Sequence, residues 1–296
     1  MIHPISFCFP EEKIINSIPQ KTKVLSSLIP GNMSTYIYNN ESDYYNEYRQ
    51  SLFAMTTKKA GWDCMRHYEI MANGCIPYFP NIEACPPMTM ALLPKDLLIQ
   101  GNALYKKYKD ANINEIDLSE CNELINKYLE YVRNHLTTAK MAKYILNKAN
   151  LTPSRILYLS KDVYPDYLRC TVLHGFKSLY GSECHDYPKI PHIYKTNTIN
   201  YSSLYGKGIT YTNLLDSNTH NDVLDATVER DIQNKYYDIV IYGSYHRGMP
   251  YYDLVSKTYD ANKIILICGE DENGCDYKHK NFADRGHSVF VRELHF

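Results

Sequence analysis

Short apolar runs of strand length, separated by amphipathic helical segments, predict an α/β fold with parallel sheets. Three observations carry this. Residues 155–294 contain RILYLS, YDIVIYG, KIILICG and HSVFVREL, near-continuous apolar runs of the kind that parallel strands buried on both faces require. Residues 51–79 read as strand, helix and strand, a βαβ unit. The chain of 296 residues is long for one core and breaks at Leu151, Thr152 and Pro153. Together they predict two Rossmann-like domains facing a cleft, residues 1–150 and 151–296.

Taken in order, Glu11–Ile15 (EEKII) reads as a short helix in a proline-containing opening segment. Thr35–Asn40 (TYIYNN) is an expected strand and turn. Ser42–Gln50 is a tyrosine-rich helix with Ser42 as its cap, leading into a strand at Ser51–Thr57. A helix follows, with Asp63 as N-cap and Gly74 as the left-handed residue past its end, then a strand at Cys75–Phe79. Ala91–Gln100 is expected as a short edge element and Ser119–Ala149 as one long helix. In the second half, Arg155–Ser160 is a strand and Asp166–Tyr180 a helix ended by Gly181. Strands at Tyr237–Gly243, Lys263–Gly269 and His287–Leu294 alternate with helices at about 222–235 and 250–260. Gly206–Gly208 (GKG) lacks the third glycine of a dinucleotide fingerprint and reads as a turn; Arg169 and His174 lie mid-helix and read as structural.

The helix of the first βαβ unit carries the chemistry. Met65, Tyr68 and Ala72 share the face that packs on the sheet, while Trp62, Arg66, Glu69 and Asn73 share another. A polar face is often merely solvated. This one begins at a helix N-terminus directly after a strand, where open α/β sheets bind ligands and free N–H groups attract phosphate. Lys58, Lys59 and Gly61 place charge and bare backbone in the loop before it, as a site for an anion bearing hydroxyl groups requires.

Arg66, Glu69, Gly74, Cys75, Ile76 and Pro77 match the pattern R-x-x-E-A-x-x-x-G-C-I-P. In this the chain resembles the nucleotide-sugar-binding domain of exostosin-like and related glycosyltransferases of the GT-B fold. The resemblance implies that Glu69 holds the ribose hydroxyls of a UDP- or GDP-linked sugar, and that Arg66 and the loop from Lys58 through Gly61 and Trp62 to Asp63 face the diphosphate, with His67 beside them. Ile70 replaces the small residue of the pattern, and His67 and Tyr68 are additions. In the GT-B fold the donor domain normally comes second; here it comes first. The closing VREL and opening PISF segments look like pieces that run together in related sequences, so the chain is expected to be a circular permutation or a fragment of a longer protein.

Loops after the second-half strands supply the acceptor side: KDVYPDY, SYHRGMP and EDENG, with Asp162, His246, Arg247, Glu270 and Asp271 as candidates. Asp162, two residues past its strand, is the expected base for an acceptor hydroxyl, and His246 the expected contact to donor phosphate or acceptor. The function implied is transfer of a sugar to a hydroxyl acceptor, inverting and metal-independent; the sequence contains no Asp-x-Asp. Glycan, lipid-linked sugar, protein side chain and modified base remain open as acceptors. The alternatives are a non-catalytic nucleotide- or glycan-binding protein of the same fold, and a sugar-nucleotide epimerase or other two-domain α/β enzyme.

A formal net charge of −1 gives no electrostatic footprint for nucleic acid, and no apolar stretch has the length of a membrane span. Nine cysteines form no C-x-x-C, and Cys8, Cys75 and Cys268 fall in apolar runs where a free thiol acts as a small hydrophobe, so a reducing, cytoplasmic setting is expected. Eleven histidines show no metal-ligand spacing. The high tyrosine content, 29 residues, is what an AT-rich coding sequence produces, and it hints at a viral source and host cytoplasm.

Overall fold

The computed structural model describes residues 1–196, 198–271 and 278–295. Within them the chain is α/β with two parallel sheets. A six-stranded sheet has the order β1 (Ile2–Pro4), β9 (Ser288–Val291), β8 (Ile264–Cys268), β7 (Ile239–Tyr242), β5 (Ile156–Leu159), β6 (Cys184–Tyr187). A three-stranded sheet has the order β2 (Lys23–Leu25), β3 (Ser51–Met55), β4 (Ile76–Tyr78). All pairings are parallel. The first strand thus joins the sheet made by the second half of the chain, and the Ile5 amide donates to the Val291 carbonyl (3.1 Å).

Both faces of the large sheet are buried, which is why its central strands read as unbroken apolar runs. Ile156, Ile241, Ile267 and Phe290 face a core continuous with Phe53, Tyr68 and Ile76 of the small-sheet unit. Leu157, Val240, Leu266 and Val291 face the opposite layer, covered by α8 (Val228–Gln233) and α9 (Tyr252–Thr258). The first layer is closed by α5 (Thr138–Ala149), which packs on α6 (Tyr167–Tyr180). The small sheet is flanked by α1 (Glu41–Gln50), α2 (Met65–Ala72), α3 (Lys95–Tyr108) and α4 (Ser119–Tyr131).

Several expected elements take another form. The cap of α2 is Cys64, not Asp63, because the Asp63 carboxylate turns away to accept the Phe7 amide (2.9 Å) and the Tyr68 hydroxyl (2.9 Å). The C-terminal end is as expected: Gly74, at φ 66°, donates to Met71 and Cys75 to Ile70, the paired bonds of a Schellman motif. Asn40, not Ser42, caps α1. Thr35–Asn40 forms no strand, Glu11–Lys13 is one 3-10 turn, and Ala91–Gln100, expected as a short edge element, is a turn that runs into the first part of α3. The long helix expected over 119–149 is two helices. Its ladder widens to a π-helix at Val132–Leu136 and breaks at the extended Thr137, where Phe9 docks between the Leu136 carbonyl and the Thr138 amide. The helix expected over 222–235 is likewise split, into α7 (Asp222–Asp225) and α8. Cys8 and Cys75 are free, their thiols pushed up to about 12 by burial. Cys268, expected to be a free thiol, is disulfide-bonded.

Candidate functional site

The C-terminal edges of the two sheets meet. Arg292, one residue past β9, is buried and acts as the staple. It donates to the Asp63 carbonyl on the loop after β3, to the Gly269 and Glu270 carbonyls after β8 (both 3.1 Å), and to Asp271 (2.5 Å). Its guanidinium also lies over the Phe7 ring, 4.8 Å from the centroid. Loops from β1, β3, β8 and β9 are thereby drawn to one mouth.

Residues 58–63 form the floor of that mouth. Lys58 and Lys59 are exposed, with the Lys58 ammonium over the Trp62 ring at 5.2 Å. His67 pins the loop: its Nε2–H donates to the Trp62 carbonyl (2.9 Å), which leaves Nδ1 to accept the Thr56 hydroxyl (2.8 Å). Burial lowers the imidazole to about 3, so it stays neutral. His67 therefore shapes the loop. The amides of Trp62 and Asp63, the expected diphosphate donors, are bound to the two Glu293 carboxylate oxygens at 3.1 and 2.9 Å. Gly61 is what lets Glu293 approach, since a Cβ there would lie 2.5 Å from Oε1. The loop does bind an anion, and the anion is the chain's own carboxylate. Asp63 beside it is raised to about 6 by burial, against the opposing Arg292 charge and Phe7 amide.

One helical turn further on, Arg66 and Glu69 lie buried together. Glu69 accepts two hydroxyls, Tyr44 on Oε2 (2.8 Å) and Thr210 on Oε1 (2.5 Å). Burial raises its carboxyl to about 7, opposed by those hydroxyls and by Arg66. Arg66 Nη1 has no well-formed hydrogen bond although the residue is only 6% exposed, and the buried Tyr36 hydroxyl beside it makes no more than a weak contact with the guanidinium. A buried guanidinium nitrogen without an acceptor is uncommon and costly. Thr210 comes from the other half of the chain. Its amide and carbonyl engage Glu41 (2.7 Å) and Lys13 (3.2 Å), and beyond them opens a cavity of about 540 Å³ lined by Lys13, Glu41, Lys207 and Thr212 among others.

On the large-sheet side, Asp162, Tyr164 and Arg247 line an open cavity of about 560 Å³ past β5 and β7. The Asp162 side chain is 44% exposed, and its Oδ1 accepts the Tyr164 amide (2.9 Å) and Arg169 (3.2 Å). Burial works to raise its carboxyl, but the Tyr164 amide and the Arg169 charge prevail and hold it below the ordinary carboxylate range. Asp166, missed from the sequence as a site residue, caps α6 and accepts Ser244 (3.2 Å) and Arg247 (3.0 Å). His246 is partly buried, with Nε2 3.4 Å from Glu270 and Nδ1 unpartnered, and burial lowers its pKa against the pull of Asp166 and Glu270. Tyr167, next to Asp166, is partly buried within electrostatic reach of Glu69, so it links the two sides.

The residues missed at the mouth are Tyr36, Tyr44, Asp166, Thr210, Arg292 and Glu293. The last two carried a usable signal: they are polar groups directly after an apolar run. Reading that strand to Leu294 hid them, whereas β9 ends at Val291. Compared with known protein families, with curated proteins and with solved structures, the chain matches none of them.

Proposed function

We propose that the chain binds a nucleotide-diphosphate sugar at the mouth between its two sheets and transfers the sugar to a hydroxyl acceptor, as a GT-B-type glycosyltransferase. The observation that carries this reading is the pair on α2. Arg66 is a buried cation with a donor left open, and Glu69 is a buried carboxylate that already engages two hydroxyl groups. A diphosphate supplies the acceptor that Nη1 lacks, and a ribose supplies two hydroxyls to Glu69 in place of Tyr44 and Thr210. Glu293 must then leave the Trp62 and Asp63 amides, which pass to phosphate oxygens and stabilise the leaving group without a metal.

The acceptor would approach from the cavity lined by Asp162 and Arg247. Asp162 presents an ionised carboxylate there with both of its hydrogen bonds on Oδ1, which fits a base for the attacking hydroxyl. His246 lies next to Arg247, as a contact to donor phosphate or acceptor requires. A second reading, a nucleotide-binding protein without turnover, is favoured by Glu293 filling the loop amides. The test is a thermal-shift panel of UDP- and GDP-linked sugars. A ligand at about 100 times its dissociation constant adds about 2.7 kcal/mol. Absence of any shift across the panel refutes both readings, while a shift without donor hydrolysis or transfer leaves the binder.

A further inference from the structure

At the edge of the large sheet, away from the mouth, β6 carries His185 and Asp186 in an otherwise apolar layer. Residues 220–225 fold over that edge and bring in His220 and Asp225. His185 is 1% exposed, and neither of its ring nitrogens has a hydrogen-bond partner. Asp225 lies opposite with one oxygen facing each imidazole: Oδ1 is 3.2 Å from His185 Nε2, and Oδ2 is 3.2 Å from His220 Nε2. The two rings stack at 5.3 Å. The three ligand atoms lie within 4.8 Å of one another.

The ring of His220 is oriented from behind. Its Nδ1–H donates to Asp186 (2.9 Å), which is itself held by Lys177 (2.9 Å) and the Tyr194 hydroxyl (2.6 Å). With Nδ1 so engaged, Nε2 faces Asp225 Oδ2 at 3.2 Å, a contact that needs a proton or a metal cation between nitrogen and carboxylate. A proton on His220 Nε2 would answer that need for His220. It would leave His185 Nε2 and Asp225 Oδ1 facing each other at 3.2 Å in a buried place without a formed hydrogen bond. One ion placed about 2.0–2.1 Å from each ligand in tetrahedral geometry separates the ligand atoms by about 3.3 Å; each Asp225 oxygen stands 3.2 Å from one imidazole nitrogen, and the three ligand atoms, within 4.8 Å of one another, reach that spacing by small side-chain rotations. A carboxylate behind the ligating imidazole is the usual outer support of such a site.

We propose that His185, His220 and Asp225 bind a divalent cation of the zinc class, with imidazole nitrogens and one carboxylate as ligands. The fourth position is open to solvent or to Asp222, whose Oδ1 is 3.6 Å from His220 Nε2. The ion joins the segment after residue 219 to the edge strand of the sheet, a role separate from the sugar-transfer reading.

Cobalt(II) is the probe. The whole chain, stripped with EDTA and dialysed, is titrated with Co²⁺ while the visible bands of tetrahedral cobalt are followed, and Zn²⁺ is then added to displace it. The expected result is one equivalent of Co²⁺ per chain, released by Zn²⁺. Asp225→Asn, at a partly exposed position, and His220→Gln should each weaken binding by about 100-fold or more. Circular dichroism of the stripped variants identifies any that fail to fold, and the wild-type titration decides by itself if both do. Absence of tetrahedral bands in the wild type, or wild-type affinity in both folded variants, overturns the site.

Discussion

Glu69 gives folding a pH dependence opposite in sign to that of a salt-bridged carboxylate. Burial raises its carboxyl from 4.5 to about 7, against the Thr210 and Tyr44 hydroxyls and the Arg66 charge. The folded chain holds this proton more tightly than the unfolded chain. Its contribution to stability is therefore complete below pH 4.5, falls as pH rises, and is gone once the folded carboxyl has ionised above about 7. At about 1.4 kcal/mol per pH unit, the loss amounts to about 3 kcal/mol. Glu69→Gln removes the titration and keeps the side chain's size and one acceptor oxygen. Urea unfolding of both proteins at about pH 4.5 and about pH 7.5 isolates the effect, because the other titrating groups, Asp63 among them, are common to both. The stability of the variant relative to wild type should rise by about 3 kcal/mol across that interval. A difference that stays constant within about 0.5 kcal/mol would refute the assignment of a buried, late-ionising carboxyl.

Glu293→Gln weakens the hold on the Trp62 and Asp63 amides, so calorimetry should show tighter binding of a nucleotide sugar by about 1–2 kcal/mol; unchanged or weaker binding counts against the amides as diphosphate donors. Asp162→Asn should lower sugar transfer by about 10² to 10⁴ with donor affinity retained, and if His246→Ala rather than Asp162→Asn abolishes transfer, the two roles are exchanged. His67→Phe keeps the ring volume but unpins the loop, and should destabilise the fold by about 1–3 kcal/mol in urea titrations, with no loss expected if His67 is a surface ligand instead.

The strands of the large sheet were legible because parallel strands buried on both faces have to be apolar throughout, and YDIVIYG and KIILICG meet that need. β6 was not, because its four residues include two buried polar groups, His185 and Asp186, and the partners of Asp186 come from Lys177, Tyr194 and His220. The break between α4 and α5 had one local signal, Thr137, whose side chain caps α5, while the Phe9 segment that docks there lies far away in sequence. At the site, the two polar positions on α2 followed from helical spacing. Their partners did not: Tyr36 and Thr210 lie on irregular segments whose positions only the assembled chain determines. The anion-binding character of the loop before α2 was readable, but the identity of the anion that fills it, Glu293, was not.

The charges at the mouth lead to a further expectation about binding. Asp63, Glu69 and Glu293 face Arg66 and Arg292, and Arg292 is already matched by Asp271 as well as by Glu293. A diphosphate brought into this set meets two carboxyls poised to hold protons near neutrality, Asp63 at about 6 and Glu69 at about 7. Added negative charge raises both further, because a like charge nearby disfavours ionisation. Binding of a nucleotide sugar should therefore take up protons. Its affinity should fall as pH rises through 6 to 8, and its calorimetric enthalpy should depend on the ionisation enthalpy of the buffer. Glu69→Gln should remove the upper part of this dependence and leave the part due to Asp63. Binding enthalpies at about pH 7 that are identical in phosphate and Tris buffers, whose protons cost different amounts of heat, would mean that the nucleotide's charge lies elsewhere than beside α2.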